Sequence, residues 1–401
     1  MFVAAALALT IVTGSPALIS AQQATPASQP ATASPSLISV THGVASGDVT
    51  ATSAIIWARA SQGPAQMHVE YATDPAFTNA MTAETEPGAV TGATDYTAQV
   101  KLEILMPDTT YYYRVWFTAE PEEAKPVQGA VPGMFRTAPS PETSRPIAFT
   151  VIGDIGGQGF CRRPDAGYRI FTPMLALGPD FVIANGDSIY ADGACPADGP
   201  ASSPADFDNI PGDFPAINDP AVDWTNLSVV TDVYVKHWRY NRADPHFQRF
   251  LAHTPVYAQW DDHEVINDFG AQWAYQNQET HNRPGFPNLV QAGREAFFWY
   301  QPIERIPADE DRIYRSFTWG KDLELFLADC RSYRSRNDEP DGPDHTMLGA
   351  EQLAWLKQEL LNSQATWKVV SFDVPISIPT GSNAAEFGRD GWANGTANDY
   401  S

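Results

Sequence analysis

Two short apolar runs organise the chain. The first, 147–152, reads Ile-Ala-Phe-Thr-Val-Ile and stops at Gly153-Asp154. The second, 181–185, reads Phe-Val-Ile-Ala-Asn and stops at Gly186-Asp187. Runs of this length with β-branched members, closed by glycine, predict strands buried on both faces. Between them, Ile170, Phe171, Met174 and Leu175 share one face of a helix predicted over 168–177. Strand, helix and strand in that order make a parallel βαβ unit with an aspartate at the carboxyl end of each strand. Ligands of open α/β sheets bind at that edge. Two carboxylates side by side repel each other unless a cation lies between them, so the pattern predicts a metal site.

Upstream, over 39–139, the period changes. Apolar and polar positions alternate at 53–59, 67–71, 96–102 and 111–117, with turn residues at Gly47-Asp48, Asp74-Pro75 and Pro107-Asp108 between the runs. Regular short strands of this kind predict an all-β sandwich of the immunoglobulin or fibronectin type III sort. The stretch 105–113, with Tyr111, Tyr112 and Tyr113, resembles the tyrosine corner of fibronectin type III domains, and Trp57 is expected on the inner face. Packing accounts for these aromatic residues better than a ligand platform does. A Pro/Ser/Thr linker at 140–146 leads into a domain expected over 147–401. There the pattern predicts a polar surface insertion at 191–223, helices at 229–239, 245–251, 288–299 and 351–361, and strands at 256–260, 323–328 and 367–372. Alternating strands and helices give a layered α/β/β/α sandwich with polar residues gathered on one edge.

The chain has 401 residues, 48 acidic against 25 basic, for a net charge of −23. So acidic a surface repels nucleic acid and anionic membranes. Positions 2–12 are apolar but too short to cross a bilayer, and they predict a signal peptide over 1–21. A flexible Pro/Ala/Ser/Thr linker follows at 22–38. The expectation is a secreted or periplasmic monomer with no membrane insertion. Export permits disulfides among Cys161, Cys195 and Cys330. Cys161 and Cys195 each follow one of the Gly-Asp turns, which favours a bridge between them; a thiolate metal ligand and unpaired buried thiols are the alternatives.

Candidate chemistry falls into two sets. Asp154, Asp187 and Tyr190 form the first. Tyrosine three residues beyond a liganding aspartate can place a phenolate on the same ion, and phenolate is a hard donor suited to ferric iron. Asp262 and His263 form the second, in the cluster Asp261-Asp262-His263-Glu264 just past a strand. A second cation there, with Asp187 bridging, would equip the chain to clamp a phosphoryl group and supply hydroxide. His263 either ligates or protonates the leaving oxygen, its charged form favoured by the surrounding carboxylates. Arg331 either holds a substrate phosphate or pairs with Asp329. Glu264, Asn267 and Asp268 are expected to position the site, Asp261 and Asp329 to support it, and Trp260 to lie in the core. His237, His246 and His253 are expected to be surface or core residues.

Together, Gly153-Asp154-Ile-Gly156, Gly186-Asp187-Ser-Ile-Tyr190 and Trp260-Asp-Asp-His-Glu264 resemble the metallophosphatase superfamily, and more narrowly the alkaline phosphatase D (PhoD-like) family. Asp329-Cys-Arg331-Ser-Tyr-Arg334 is similar to that family's Asp-x-Arg-x-x-Arg stretch, and the first two motifs are also similar to purple acid phosphatases. The resemblance implies a calcineurin-like metallophosphatase domain behind a fibronectin-like one. It implies an exported hydrolase of phosphomonoesters or phosphodiesters, acting on a small-molecule or lipid substrate. It places Fe(3+) at Asp154, Asp187 and Tyr190, a second divalent ion (Ca(2+), Zn or Mn) at Asp187 and Asp262, and His263 near the leaving group. Purple acid enzymes carry Gly-Asn-His-Glu where this chain has Asp261-Asp262-His263-Glu264, and the extra charge favours a harder second ion. Family members draw further histidine ligands from a late Asp-Val-His-type motif. None follows His345 here, so the expectation is a carboxyl-terminally shortened domain with little or no turnover. Two alternatives within reach of the same residues are a secreted calcium-binding protein without catalysis and a phospholipase D-type phosphodiesterase of the family. A glycosidase would use the paired carboxylates but leave Tyr190 and His263 idle.

Overall fold

Strand β2 (Ala54–Ala60) is buried on both faces, and this sets how the two halves of the chain join. It pairs antiparallel with β1 (Val40–Gly47) and β5 (Thr97–Leu102). Its Ile56, Ala58 and Ala60 pack against a second sheet, ordered β4 (Met81–Glu84), β3 (Gln66–Ala72), β6 (Thr110–Thr118), β7 (Val131–Arg136). Trp57 points the other way. It lies in a core with Trp238 and Tyr300, and its Nε1 donates to the Trp299 carbonyl at 2.7 Å. It is therefore not the inner-face tryptophan of the sandwich: on a strand with no solvent side, alternation sends every second residue into the neighbouring core. At the corner before β6, the Tyr111 hydroxyl accepts the Met106 N–H at 2.9 Å.

The computed structural model describes residues 38–119, 129–157, 159–200, 207–267, 269–270, 285–335 and 345–374. The expected signal peptide, nearly all of the 22–38 linker, Asp268 and 375–401 lie outside the described residues. Strand β1 also pairs in parallel with β10 (Val256–Gln259) at Gly47 and Val256. The sheet order is thus β5-β2-β1-β10-β9-β8, with β8 at Phe149–Ile152 and β9 at Phe181–Asn185. One sheet of the upstream sandwich runs on into the parallel sheet of the downstream half. The 140–146 segment is held on both sides: Lys321 N–H donates to the Thr143 carbonyl at 2.8 Å, and Arg145 pairs with Asp180 at 2.7 Å and with Asp108 at 2.8 Å.

Alternation along β9 builds the layers. Val182 and Ala184 face helices α2 (Leu227–Arg242), α3 (Pro245–Leu251) and α4 (Phe286–Tyr300). Phe181 and Ile183 face a second sheet of β11 (Arg315–Trp319), β12 (Leu323–Leu327) and β13 (Trp367–Ser371). On that sheet's far side, Phe326 and Ala328 meet Leu356 of α5 (Gly349–Asn362). The crossover helix α1 is only Phe171–Ala176, bounded by left-handed Gly167 and Gly178. Of its expected apolar face Phe171 alone is fully buried, and Ile170 is exposed. Strand β11, which the sequence pattern misses, turns through left-handed Gly320 to pair antiparallel with β12.

Candidate metal centre

The carboxyl ends of β8, β9, β10 and β13 open onto one cavity of ≈ 570 Å³, whose lining includes Asp154, Asp187, Tyr190, Asp262, His263 and Asp373. Backbone conformation explains why the aspartates stand there. Asp154 and Asp187 sit at φ 54° and 48°. Aspartate tolerates this left-handed region better than most L residues. The two turns are joined by the Ile155 N–H, which donates to the Asp187 carbonyl at 2.8 Å. Gly186, at φ 86°, lets the next strand end approach: a Cβ there would lie 2.4 Å from Asp261 Cβ.

Glu264 clamps the same junction. Its Oε2 accepts the N–H groups of Asp187 at 3.0 Å and Asp261 at 2.8 Å, and its Oε1 accepts that of Ser188 at 2.7 Å. Burial pushes its carboxyl up to about 7, against these donors, which favour the anion. It ties the ends of β9 and β10 together and is not among the residues that line the cavity.

Asp187, Asp262 and His263 are the residues brought closest: one potential ligand atom from each lies within 4.8 Å of the others. Burial, and next the charge of Asp262, push the Asp187 carboxyl up to about 8. Two carboxylates so placed need a proton or a cation. Burial on its own would pull His263 down. The bond from its Nδ1 to Asp192 Oδ1 at 2.7 Å and the charges of Asp262 and Asp192 outweigh this and push it up to about 10. Asp192 Oδ2 also accepts the Asn267 N–H at 2.9 Å. The Tyr190 ring lies 4.2 Å from the His263 ring, and its hydroxyl donates to Asp154 Oδ1 at 3.0 Å. Burial, then Asp187 and Asp154, raise the phenol's pKa, so phenolate can form here only against a cation. Asp154 is exposed and lies outside the tight group of three.

Arg331 is placed differently from either expectation. Its side chain is fully buried, pairs through Nε with Asp261 Oδ1, and lies 3.4 Å from Asp262 Oδ1. It lies against those aspartates outside the lining of the cavity, and among the described residues its side-chain ion pairs are with Asp261 and Asp262 and not with Asp329. Asp329 Oδ1 instead accepts the Arg331 and Ser332 N–H groups and Trp260 Nε1, at 3.1, 2.9 and 3.0 Å, and so shapes the turn after β12. Trp260 is buried.

Cys161 and Cys195 are joined in a disulfide, and Cys330 is a buried free thiol. The bridge ties the segment after Asp154 to the segment after Tyr190. Asn209 reinforces it, accepting the Cys161 N–H at 2.9 Å and donating to the Gly159 and Pro196 carbonyls. His237 is buried, His246 bonds Thr172 and His253 bonds the Arg249 carbonyl, all away from the cavity.

Two acids at the site escape the sequence reading: Asp373, which lines the cavity, and Asp192, which reaches it only through His263 and Asn267. Asp192 is hidden as the first acid of a polar insertion. Asp373 stands at the carboxyl end of β13, the same strand-then-aspartate signature as the others, and was open to the same reading. It accepts the Cys330 N–H at 3.1 Å, and burial, then Asp329, push its carboxyl up to about 7.

A family model described as PhoD-like phosphatase matches residues 149–399, and one described as the N-terminal domain of PhoD-like phosphatase matches 24–139. The chain belongs to the PhoD-like phosphatase family. Every cavity residue named above lies inside the 149–399 match. Alkaline phosphatase D of Bacillus subtilis (strain 168) is 26% identical over 355 residues, covering 82% of this chain and 55% of the relative. This PhoD-like chain therefore spans about half the length of that curated relative. A solved structure of PhoD aligns with a TM-score of 0.68 at 23% identity, over 90% of this chain and 67% of that one, which shows a shared fold. A purple acid phosphatase from yellow lupin aligns at a TM-score of 0.49 and 14% identity, over 83% and 50% of the two chains; that likeness is too loose to argue from.

Proposed function

We propose that this PhoD-like protein is a metal-dependent hydrolase of phosphate esters, its substrate a small-molecule or lipid phosphomonoester or phosphodiester. The observation that carries the reading is the convergence of Asp187, Asp262 and His263 within 4.8 Å, beside Asp154 and Tyr190 in one cavity. The donors fit a pair of hard cations: carboxylate oxygens raised in pKa by burial and mutual repulsion, and a phenol that needs a positive charge to ionise. Asp154, Asp187 and Tyr190 would hold Fe(3+), and Asp187 and Asp262 a second divalent ion, Ca(2+), Zn or Mn. Bound there, the ions would supply Lewis acidity toward phosphoryl oxygens and an acidified water.

The chain's own groups do the rest. Asp192 engages Nδ1 of His263 and holds the ring as a cation, leaving Nε2 to serve the cavity. A protonated imidazole at the rim is equipped to donate to a leaving oxygen. Arg331 and Glu264 hold the loops so that Asp262 and Asp187 keep their spacing. The apolar 2–12 stretch and the Cys161–Cys195 bridge support an exported protein in an oxidising compartment.

Metal analysis with an aryl phosphate and an aryl phosphodiester tests the reading. The expected result is bound metal, hydrolysis of at least one ester, and a tyrosinate-to-iron absorption band lost in Tyr190→Phe. Protein that binds calcium without colour or hydrolysis would favour a non-catalytic binding role. Protein that retains no metal and cleaves neither ester would sink the proposal.

A further inference from the structure

We infer that Asn241, in the last turn of α2, is a positioning residue that sets the separation of Asp154 and Asp187. Its side chain is buried behind the two Gly-Asp turns and lies outside the cavity. Nδ2 donates to the Ser188 carbonyl at 2.8 Å and to the Ile155 carbonyl at 3.3 Å. These are the carbonyls of the residues that directly follow the two aspartates. Both hydrogens of one carboxamide thus reach one acceptor on each turn. The third valence is used as well: Oδ1 accepts the Tyr168 hydroxyl at 2.7 Å. Tyr168 reaches it by crossing Gly156, where a Cβ would lie 2.3 Å from the tyrosine oxygen.

A donor pair held between two carbonyls fixes their spacing, and with it the orientation of the peptide that carries each aspartate. The carbonyls are buried, so losing the donor leaves both unsatisfied. Aspartate would set an acceptor against two acceptors. Leucine has the shape but no donors, and glutamine is one methylene too long. The donors of residue 241 are thus required by this geometry, while the cation that benefits lies beyond the turns. The consequence for ion affinity rests on the proposed metal site; the clamp itself rests on hydrogen bonds alone.

Hydrogen exchange and Mn(2+) titration on wild type, Asn241→Leu and Asn241→Asp test the two parts separately. In both variants, exchange across 153–157 and 186–189 should accelerate together, while β9 and β12 stay protected. Mn(2+) affinity of the folded protein should fall about tenfold or more, and the EPR spectrum of bound Mn(2+) should change. Tyr168→Phe, which removes one support and leaves both donors, should lose less. Unchanged turn protection, or protection lost evenly over the chain, overturns the clamp. Loosened turns with wild-type Mn(2+) affinity overturn the positioning role. A wild type that takes up no Mn(2+) refutes the metal reading and the positioning role with it, and the exchange result still decides the clamp.

Discussion

Nδ1 of His263 lies 2.7 Å from Oδ1 of Asp192. The same carboxylate holds the Asn267 N–H, so one acid orients both the imidazole and the loop beyond it. Removing it frees the ring to rotate and to lose its proton. Asp192→Ala is expected to cut ester hydrolysis about 10- to 100-fold with metal content unchanged. His263→Ala should cost about 100-fold or more. Steady-state kinetics beside metal analysis checks both, and full activity in either variant removes His263 from proton transfer.

Metal should stabilise the folded chain. A cation present at a hundred times its dissociation constant adds about 2.7 kcal/mol, so the melting temperature should rise with Mn(2+) or Ca(2+) and fall back on chelation. In Asp187→Asn, which removes the carboxylate shared by both proposed ions, the rise should largely vanish. A variant that keeps the whole shift places the ion elsewhere.

Gly186→Ala tests the close approach of the β9 and β10 ends. The left-handed conformation alone costs a side chain about 1–2 kcal/mol, and the new Cβ would lie 2.4 Å from Asp261 Cβ. The expected outcome is a loss of at least about 2 kcal/mol in urea unfolding together with weaker metal binding. Ala at Gly178, also left-handed but with open space around it, should show the conformational cost without the loss of metal.

Breaking the Cys161–Cys195 bridge releases a crosslink between residues 34 apart in sequence. The chain-entropy estimate for such a loop is about 4 kcal/mol. Cys161→Ser with Cys195→Ser should therefore lower the urea midpoint, and reductant should do nothing further to the double variant. Equal midpoints before and after reduction of the wild type would show that the bridge contributes nothing.

Acid should unfold the protein through buried histidines. Burial pulls His237 down to about 3, and burial with the nearby Arg59 charge pulls His42 down to about 4. A depressed histidine is neutral in the fold and charged in the unfolded chain. Its stability contribution is intact above the unfolded value near 6.5 and is lost as pH falls toward the folded value. Each should cost about 1.4 kcal/mol per pH unit below about 6. The His237 ring lies tilted against Phe214, with ring centroids 3.7 Å apart, and His237→Phe should flatten that slope, as urea midpoints between pH 4 and 8 would reveal.

The strands that carry the site were legible one at a time. A run such as Phe181–Asn185 closed by Gly186-Asp187 needs only local steric rules and burial on both faces to be read, and so does the tyrosine at position 190. Helix α3 and the strand before Asp261 follow from the same short-range periodicities. Arg331 was misread because its partner depends on which strand end lies behind it, and Trp57 because β2 has two cores rather than one. Asp192, Asp373 and Asn241 stand 71, 110 and 22 residues from His263 in sequence by their numbers. By itself, the sequence determined most of the elements, the acidic ends of β8, β9 and β10 and the family resemblance, since periodicity and turn chemistry act over a few residues. Only the tertiary structure decided which acids meet, which guanidinium lies against them and which amide ties the turns together, because those contacts join segments far apart along the chain, brought together by packing that no local pattern records.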